Sequence, residues 1–140
     1  TRSDCEGQLF VALRGANHDG HDHLADAIAR GAAGLLVDRL PEVLTGRLRG
    51  TTADRAASPF VVRVADTGRA LLDLVGEHRR RLRAKVVGIT GSCGKTSTKE
   101  WLGAVLSAAM PTVRSPGSYN NHVGVPLTLF SMTPKTRAAV

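Results

Sequence analysis

The chain has 140 residues, 42% of them apolar, 22% charged and 4% aromatic, with a formal net charge of +7. This length suits one ordinary domain or one small domain and part of a second, and the balance of residues excludes wholesale disorder. No apolar run approaches the ~20 residues a membrane-crossing helix requires, and the basic balance points to acidic partners, although so few aromatics argue against a stacking surface for single-stranded nucleic acid.

The first residues, Thr1-Arg2-Ser3-Asp4-Cys5-Glu6, include neither an initiator Met nor an apolar signal region. The start is therefore expected to be internal to a longer protein, with no export signal. Cys5 and Cys93 are the two cysteines. They cannot make a disulfide framework, and a reducing, cytoplasmic setting is the expectation.

Gln8 to Arg14, "QLFVALR", reads as a strand, and Gly15 to Gly20 as a turn. A helix follows, with Asp22 as its expected N-cap, Leu24, Ala27 and Ile28 on one face, and Gly31 ending it in a left-handed conformation. Gly34 to Asp38 is a second strand. Residues 39–59 lack periodicity and read as a surface excursion. Phe60 to Val64 is a third strand, and Asp66 is placed to cap a helix with an apolar stripe of Leu71, Leu74, Val75 and Leu82, ending near Arg83. The basic run His78 to Lys85 is best read as the solvated end of that helix.

A second unit begins near Lys85 with a strand, a glycine-rich loop and a helix. Trp101, Leu102, Val105, Leu106 and Ala109 are expected on its buried face, with Pro111 stopping it. "TVRS" from Thr112 and "TRAAV" from Thr136 are strand candidates, and "PLTLFSM" from Pro126 is a helix start. Strands alternating with helices imply a mainly parallel sheet and an α/β fold.

The loop reads Gly91-Ser92-Cys93-Gly94-Lys95-Thr96. It has G-x-x-G-K-T in place of the full G-x-x-x-x-G-K-[ST], because Ile89 stands where the first glycine of that pattern would be. The chemistry still holds: glycines let backbone N–H groups turn inward around an anion, and the helix that follows presents its positive end. Gly91 to Ser97 form the expected phosphate cradle, Lys95 reaches the terminal phosphates, and the Thr96 hydroxyl is the candidate Mg²⁺ ligand. Cys93 is read as a small loop residue, since no His is tied to it by spacing. His18, Asp19, His21, Asp22 and His23 crowd a short stretch, but without a second ligand cluster they read as a polar turn and not as a zinc site.

Four stretches are similar to the Mur ligases of peptidoglycan synthesis: "TGSCGKTSTKE", "QLFVALRGANHDGHDHLADAIARGA", "VADTGRALLDL", and Ser118 to Leu129, "SYNNHVGVPLTL". The resemblance covers nearly the whole chain. It implies an α/β protein with a uridine-nucleotide-binding domain over 1–83, truncated at its start, and the first part of an ATP-binding domain with a P-loop parallel sheet over 84–140. Within the family it is to the members that join D-alanyl-D-alanine to UDP-N-acetylmuramoyl-tripeptide through an acyl phosphate, using ATP and Mg²⁺.

Carried over residue by residue, the resemblance implies substrate contacts for Arg2, Asn17, Asp19, Gly20 and His21. His18 stands where the family usually has an aromatic or apolar residue. Asn120 and Asn121 are implied beside the ATP and substrate cleft, and Lys95 and Thr96 as the catalytic pair. A monomer with no nucleic-acid partner is expected, and the 140 residues alone are not expected to ligate. The rivals are an amino-acid-adding Mur ligase, a non-catalytic uridine-nucleotide-binding fragment, and a basic nucleic-acid binder.

Overall fold

A computed structural model describes residues 5–40, 59–117, 119 and 121–140. Most of the 39–59 excursion lies outside them, as do Arg2 and Asn120. Two compact units divide at Leu71 and Leu72, and each carries a three-stranded parallel sheet among the described residues.

In the first unit β1 (Leu9–Val11), β2 (Gly34–Val37) and β3 (Phe60–Arg63) are ordered β1-β2-β3. The central strand β2 is buried along its whole length. Its unbroken "GLLV" is what a parallel strand covered on both faces demands. Between β1 and β2 the chain makes a 3₁₀ turn, Gly20–His23, and a helix α1, Leu24–Ala29. Leu24 and Ala27 drop from α1 onto Ala12, Leu35 and Val37 to form the core. Gly31 follows α1 with φ +79, as its place in the sequence predicts. The cap differs from expectation. Asp19, not Asp22, accepts the His21 N–H at 2.9 Å and opens the 3₁₀ turn, because the helical path starts three residues earlier than expected.

Helix α2 (Thr67–Arg80) begins where Asp66 accepts the Arg69 N–H at 2.9 Å. Thr67 donates its buried hydroxyl to the Ala12 carbonyl at 2.8 Å, tying the helix start to the end of β1. The division between the units falls inside α2. Its later turns pack with the second unit, where the His78 ring lies 5.5 Å from that of Phe130 and its Nε2 is 3.1 Å from the Met132 carbonyl. Leu71, Val75 and Leu82 are buried as expected, whereas Leu74 is exposed.

The second unit contains β4 (Lys85–Val86), α3 (Lys95–Ala109), β5 (Thr112–Val113), α4 (Gly124–Phe130) and β6 (Ala138–Ala139), with strand order β4-β6-β5. The last strand in sequence is thus the central one, and Ala138 and Ala139 are buried with Leu82, Ala84 and Met132. The expected face of α3 is corrected. Lys99 and Gly103 are its buried positions, whereas Trp101 is 78% and Val105 69% exposed. At 100° per residue, 101 and 105 lie on the side of the helix away from 99 and 103. The sheet face is taken by a narrow contact in which the Arg114 side chain crosses Gly103 so closely that no Cβ would fit.

Candidate functional site

The glycine-rich loop connects β4 to α3 at the carboxyl end of a parallel strand, where open α/β sheets place their ligands. Gly94 is the N-cap of α3 with φ +77, a left-handed conformation that strains any residue with a Cβ, and Gly91 has φ +148. The pair turns the backbone so that the loop wraps the first turn of a 15-residue helix. The first helical hydrogen bond runs from Thr98 N–H to Gly94 O at 2.9 Å, and the amides before it are the unpaired donors every helix start presents.

Lys95 folds back over this loop. Its ammonium donates to the Gly91 carbonyl and, at 3.3 Å, to the Ser92 carbonyl. Such bonds are readily exchanged for phosphate oxygens, since they hold a charge against neutral acceptors at a half-exposed position. Gly91, Ser92, Cys93 and Gly94 are exposed, as are Thr96 and Ser97. Lys95 and Thr96 line a cavity of about 320 Å³. Its far side is formed by Ser115, Gly117 and Tyr119, and its floor includes Val87, Ile89 and Leu129. Cys5 is buried and Cys93 exposed, and no disulfide joins them.

A further lysine lines the cavity that the motif did not single out. Lys99, one turn beyond Lys95, has a side chain only 8% exposed. Its Nζ donates to the carbonyls of Ser115 and Gly117, both at 2.7 Å, and lies 2.8 Å from the Glu100 carboxylate. Glu100 also meets Arg114 at 3.3 Å. The Lys99 ammonium, more than Arg114, holds the Glu100 carboxyl below the usual carboxylate range. The i, i+4 spacing of two lysines after a glycine was the one sequence signal available for this residue.

Asn121 accepts the Val123 N–H at 3.1 Å and the Gly124 N–H at 2.7 Å through its side-chain oxygen. It therefore holds the start of α4, whose residues Val125, Thr128 and Leu129 line the cavity.

The polar turn of the first unit is built differently. The His21 side chain is 2% exposed, and both ring nitrogens are engaged: Nδ1 with Asp19 Oδ1 at 2.6 Å, and Nε2 accepting the Asp38 N–H at 3.3 Å. Asp19 also takes the Arg39 guanidinium, and Arg14 bonds Asp38 at 2.8 Å. The His21 backbone N–H, then its ring, then Arg39 hold the Asp19 carboxyl far below its ordinary range. Gly20 sits so close to the backbone of Ala12 and Leu13 that a Cβ would overlap them. The geometry thus makes His21 and Gly20 part of what braces this turn. Asn17 is exposed and Asp19 half-buried at the rim. Among the described residues, no three His, Cys, Asp or Glu side chains are grouped to hold a metal. None of the helices there is long and apolar enough to cross a membrane.

Residues 89–140 match the Mur ligase middle domain. The chain is 35% identical over 140 residues to the UDP-N-acetylmuramoyl-tripeptide–D-alanyl-D-alanine ligase of Bacillus subtilis, covering all of this chain and 28% of that protein. It is 39% identical over 145 residues to the Escherichia coli ligase of the same name, again covering all of this chain and 28% of the relative. A crystal structure of MurF from Acinetobacter baumannii superposes with a TM-score of 0.82 at 34% identity, over 99% of this chain and 28% of that one. MurF from Thermotoga maritima in complex with ADP gives 0.73 at 30% identity, over 96% and 28%. The chain therefore resembles Mur ligases along its whole length and spans little more than a quarter of theirs.

Proposed function

We propose that this Mur-ligase-like chain supplies the phosphate-holding loop of an ATP-dependent enzyme that joins D-alanyl-D-alanine to UDP-N-acetylmuramoyl-tripeptide. The observation that carries the reading is the loop itself: Gly94 turned left-handed at the head of α3, with Lys95 resting on carbonyls of its own loop at the edge of a cavity. An arriving polyphosphate takes the ammonium from those carbonyls and meets the N–H groups of the first helical turn. In the reaction, a carboxylate oxygen of the tripeptide attacks the γ-phosphorus, releasing ADP and forming an acyl phosphate. The dipeptide amine then attacks the acyl carbon and expels phosphate, leaving the amide. Lys95 and the loop amides offset the negative charge that moves onto the phosphoryl oxygens, where such enzymes concentrate their electrostatic effort.

Thr96 presents a hard oxygen donor at the cavity wall, which suits Mg²⁺. That ion keeps several waters and takes one or two protein oxygens besides those of phosphate. When bound, it further offsets the phosphate charge. In the first unit we assign the uridine-nucleotide end of the substrate to the rim formed by Asn17 and Asp19, which Gly20 and His21 brace from within. Two cysteines that form no disulfide with each other fit a cytoplasmic setting.

Calorimetry with Mg-ATP on the 140-residue protein and on Lys95→Ala tests the loop assignment. Heat of binding from the parent and none from the variant is the expected result, and equal heats overturn it. Ligation is assigned to the whole protein, so ATP- and dipeptide-dependent product from these 140 residues alone would contradict the reading.

A further inference from the structure

The two lysines of α3 differ in what holds them. Lys95 is half-exposed and bonded to its own loop, so its charge is free to transfer to a ligand at little cost. Lys99 is 8% exposed and donates to two carbonyls of another segment. A buried ammonium is costly unless its protons are all used, and here the two carbonyls and the Glu100 carboxylate use them. Pulling it away to meet a phosphate would leave the carbonyls of Ser115 and Gly117 without their donor.

The segment so held is the far wall of the cavity. Ser115 donates its N–H to the Val140 carbonyl at 2.9 Å, which anchors one end of the segment to the end of β6. Beyond it the chain turns at Gly117, with φ +50, so that its carbonyl points back at Lys99. Tyr119, past that turn, donates its N–H to the Pro116 carbonyl at 3.2 Å and lines the cavity. Ser115, Gly117 and Tyr119 line the same cavity as Lys95 and Thr96.

We infer that Lys99 is a positioning residue: it clamps residues 115–117 against α3 and so sets the wall for the non-phosphate part of the ligand, without touching phosphate itself. The inference rests on the nucleotide reading of the loop. It separates the two lysines, one turn apart on one helix, into a phosphate ligand and a clamp.

The test uses Lys99→Met and Lys95→Met in the 140-residue protein, with Mg-ADP and Mg-tripolyphosphate as probes and amide exchange as a structural readout. Lys99→Met is expected to weaken Mg-ADP about tenfold while leaving Mg-tripolyphosphate within about twofold. It should also speed exchange at Ser115 and Tyr119 but not in α2 or β6. Lys95→Met is expected to weaken both probes and to leave those two amides protected. Equal loss of both probes in Lys99→Met overturns the clamp in favour of a phosphate ligand or a general loss of structure, and unchanged affinity with unchanged exchange overturns it outright. Should the Met variant fail to fold, Lys99→Arg decides. Its guanidinium can still donate to both carbonyls, so Mg-ADP affinity within about threefold of the parent is expected, and parallel loss of both probes counts against the clamp. Should neither probe bind the parent, the nucleotide reading fails, and exchange at the Ser115 and Tyr119 amides still decides whether Lys99 holds the segment.

Discussion

Two polar turns, one in each unit, look equally suited to a site when read as sequence, and they use their charges in opposite ways. In the Gly15–His21 turn the polar groups satisfy one another: Asp19 with the His21 ring and Arg39, Asp38 with Arg14 through its carboxylate and with His21 Nε2 through its N–H. In the loop before α3, Lys95 has carbonyls of its own loop as partners, and Thr96 and Ser97 are exposed. One crowd of polar residues is thus held by exchangeable backbone carbonyls, the other largely by charged side chains.

The comparison is broken most directly at Lys95. Lys95→Ala is expected to lower Mg-ATP affinity by on the order of a hundredfold, or about 2.7 kcal/mol, with an unchanged melting temperature. A variant that melts earlier but binds normally would reverse the roles given to the two turns. His21→Ala should do the opposite. Removing the ring leaves the Asp38 N–H and the Asp19 carboxylate short of partners, at a cost of ~1–3 kcal/mol in thermal or denaturant unfolding, with Mg-ATP binding retained.

Asp19 sharpens the contrast through pH. Its carboxyl titrates lower folded than unfolded, so its contribution is complete above the ordinary carboxylate range near 4 and is lost as pH falls below it. An acid titration of melting temperature should fall more steeply for the parent than for Asp19→Asn, and parallel curves would remove the brace. The smallest effect is expected on the outer side of α3. Trp101→Gln should change the stability of the 140-residue protein by no more than ~0.5 kcal/mol, as for other exposed positions, and a loss of several kcal/mol would return Trp101 to the core.

The loop was legible because its chemistry is local. Glycines at 91 and 94 followed by Lys95 and Thr96 between a strand and a helix specify a turn, a charge and a helix start within a few residues. The parallel α/β layout was legible for a similar reason, since strands alternate with helices along the chain and Leu71 and Val75 of α2 keep a helical period. Trp101 was misread because the same period, taken by itself, cannot say which side of α3 meets the sheet. Gly103, small enough for Arg114 to cross, settles that side.

What the sequence determined by itself was therefore each short-range device: the left-handed glycine after α1, the glycine-rich loop between a strand and a helix, the second strand of the first unit and the resemblance to Mur ligases. Only the tertiary structure decided the partners. It made the last strand, β6, the centre of its sheet. It turned both nitrogens of His21 inward, and it put the carbonyls of Ser115 and Gly117 on the ammonium of Lys99. Apart from His21 with Asp19, these pairings join residues 16 to 53 positions apart, and such distances are closed by packing of the whole unit, which no local pattern encodes.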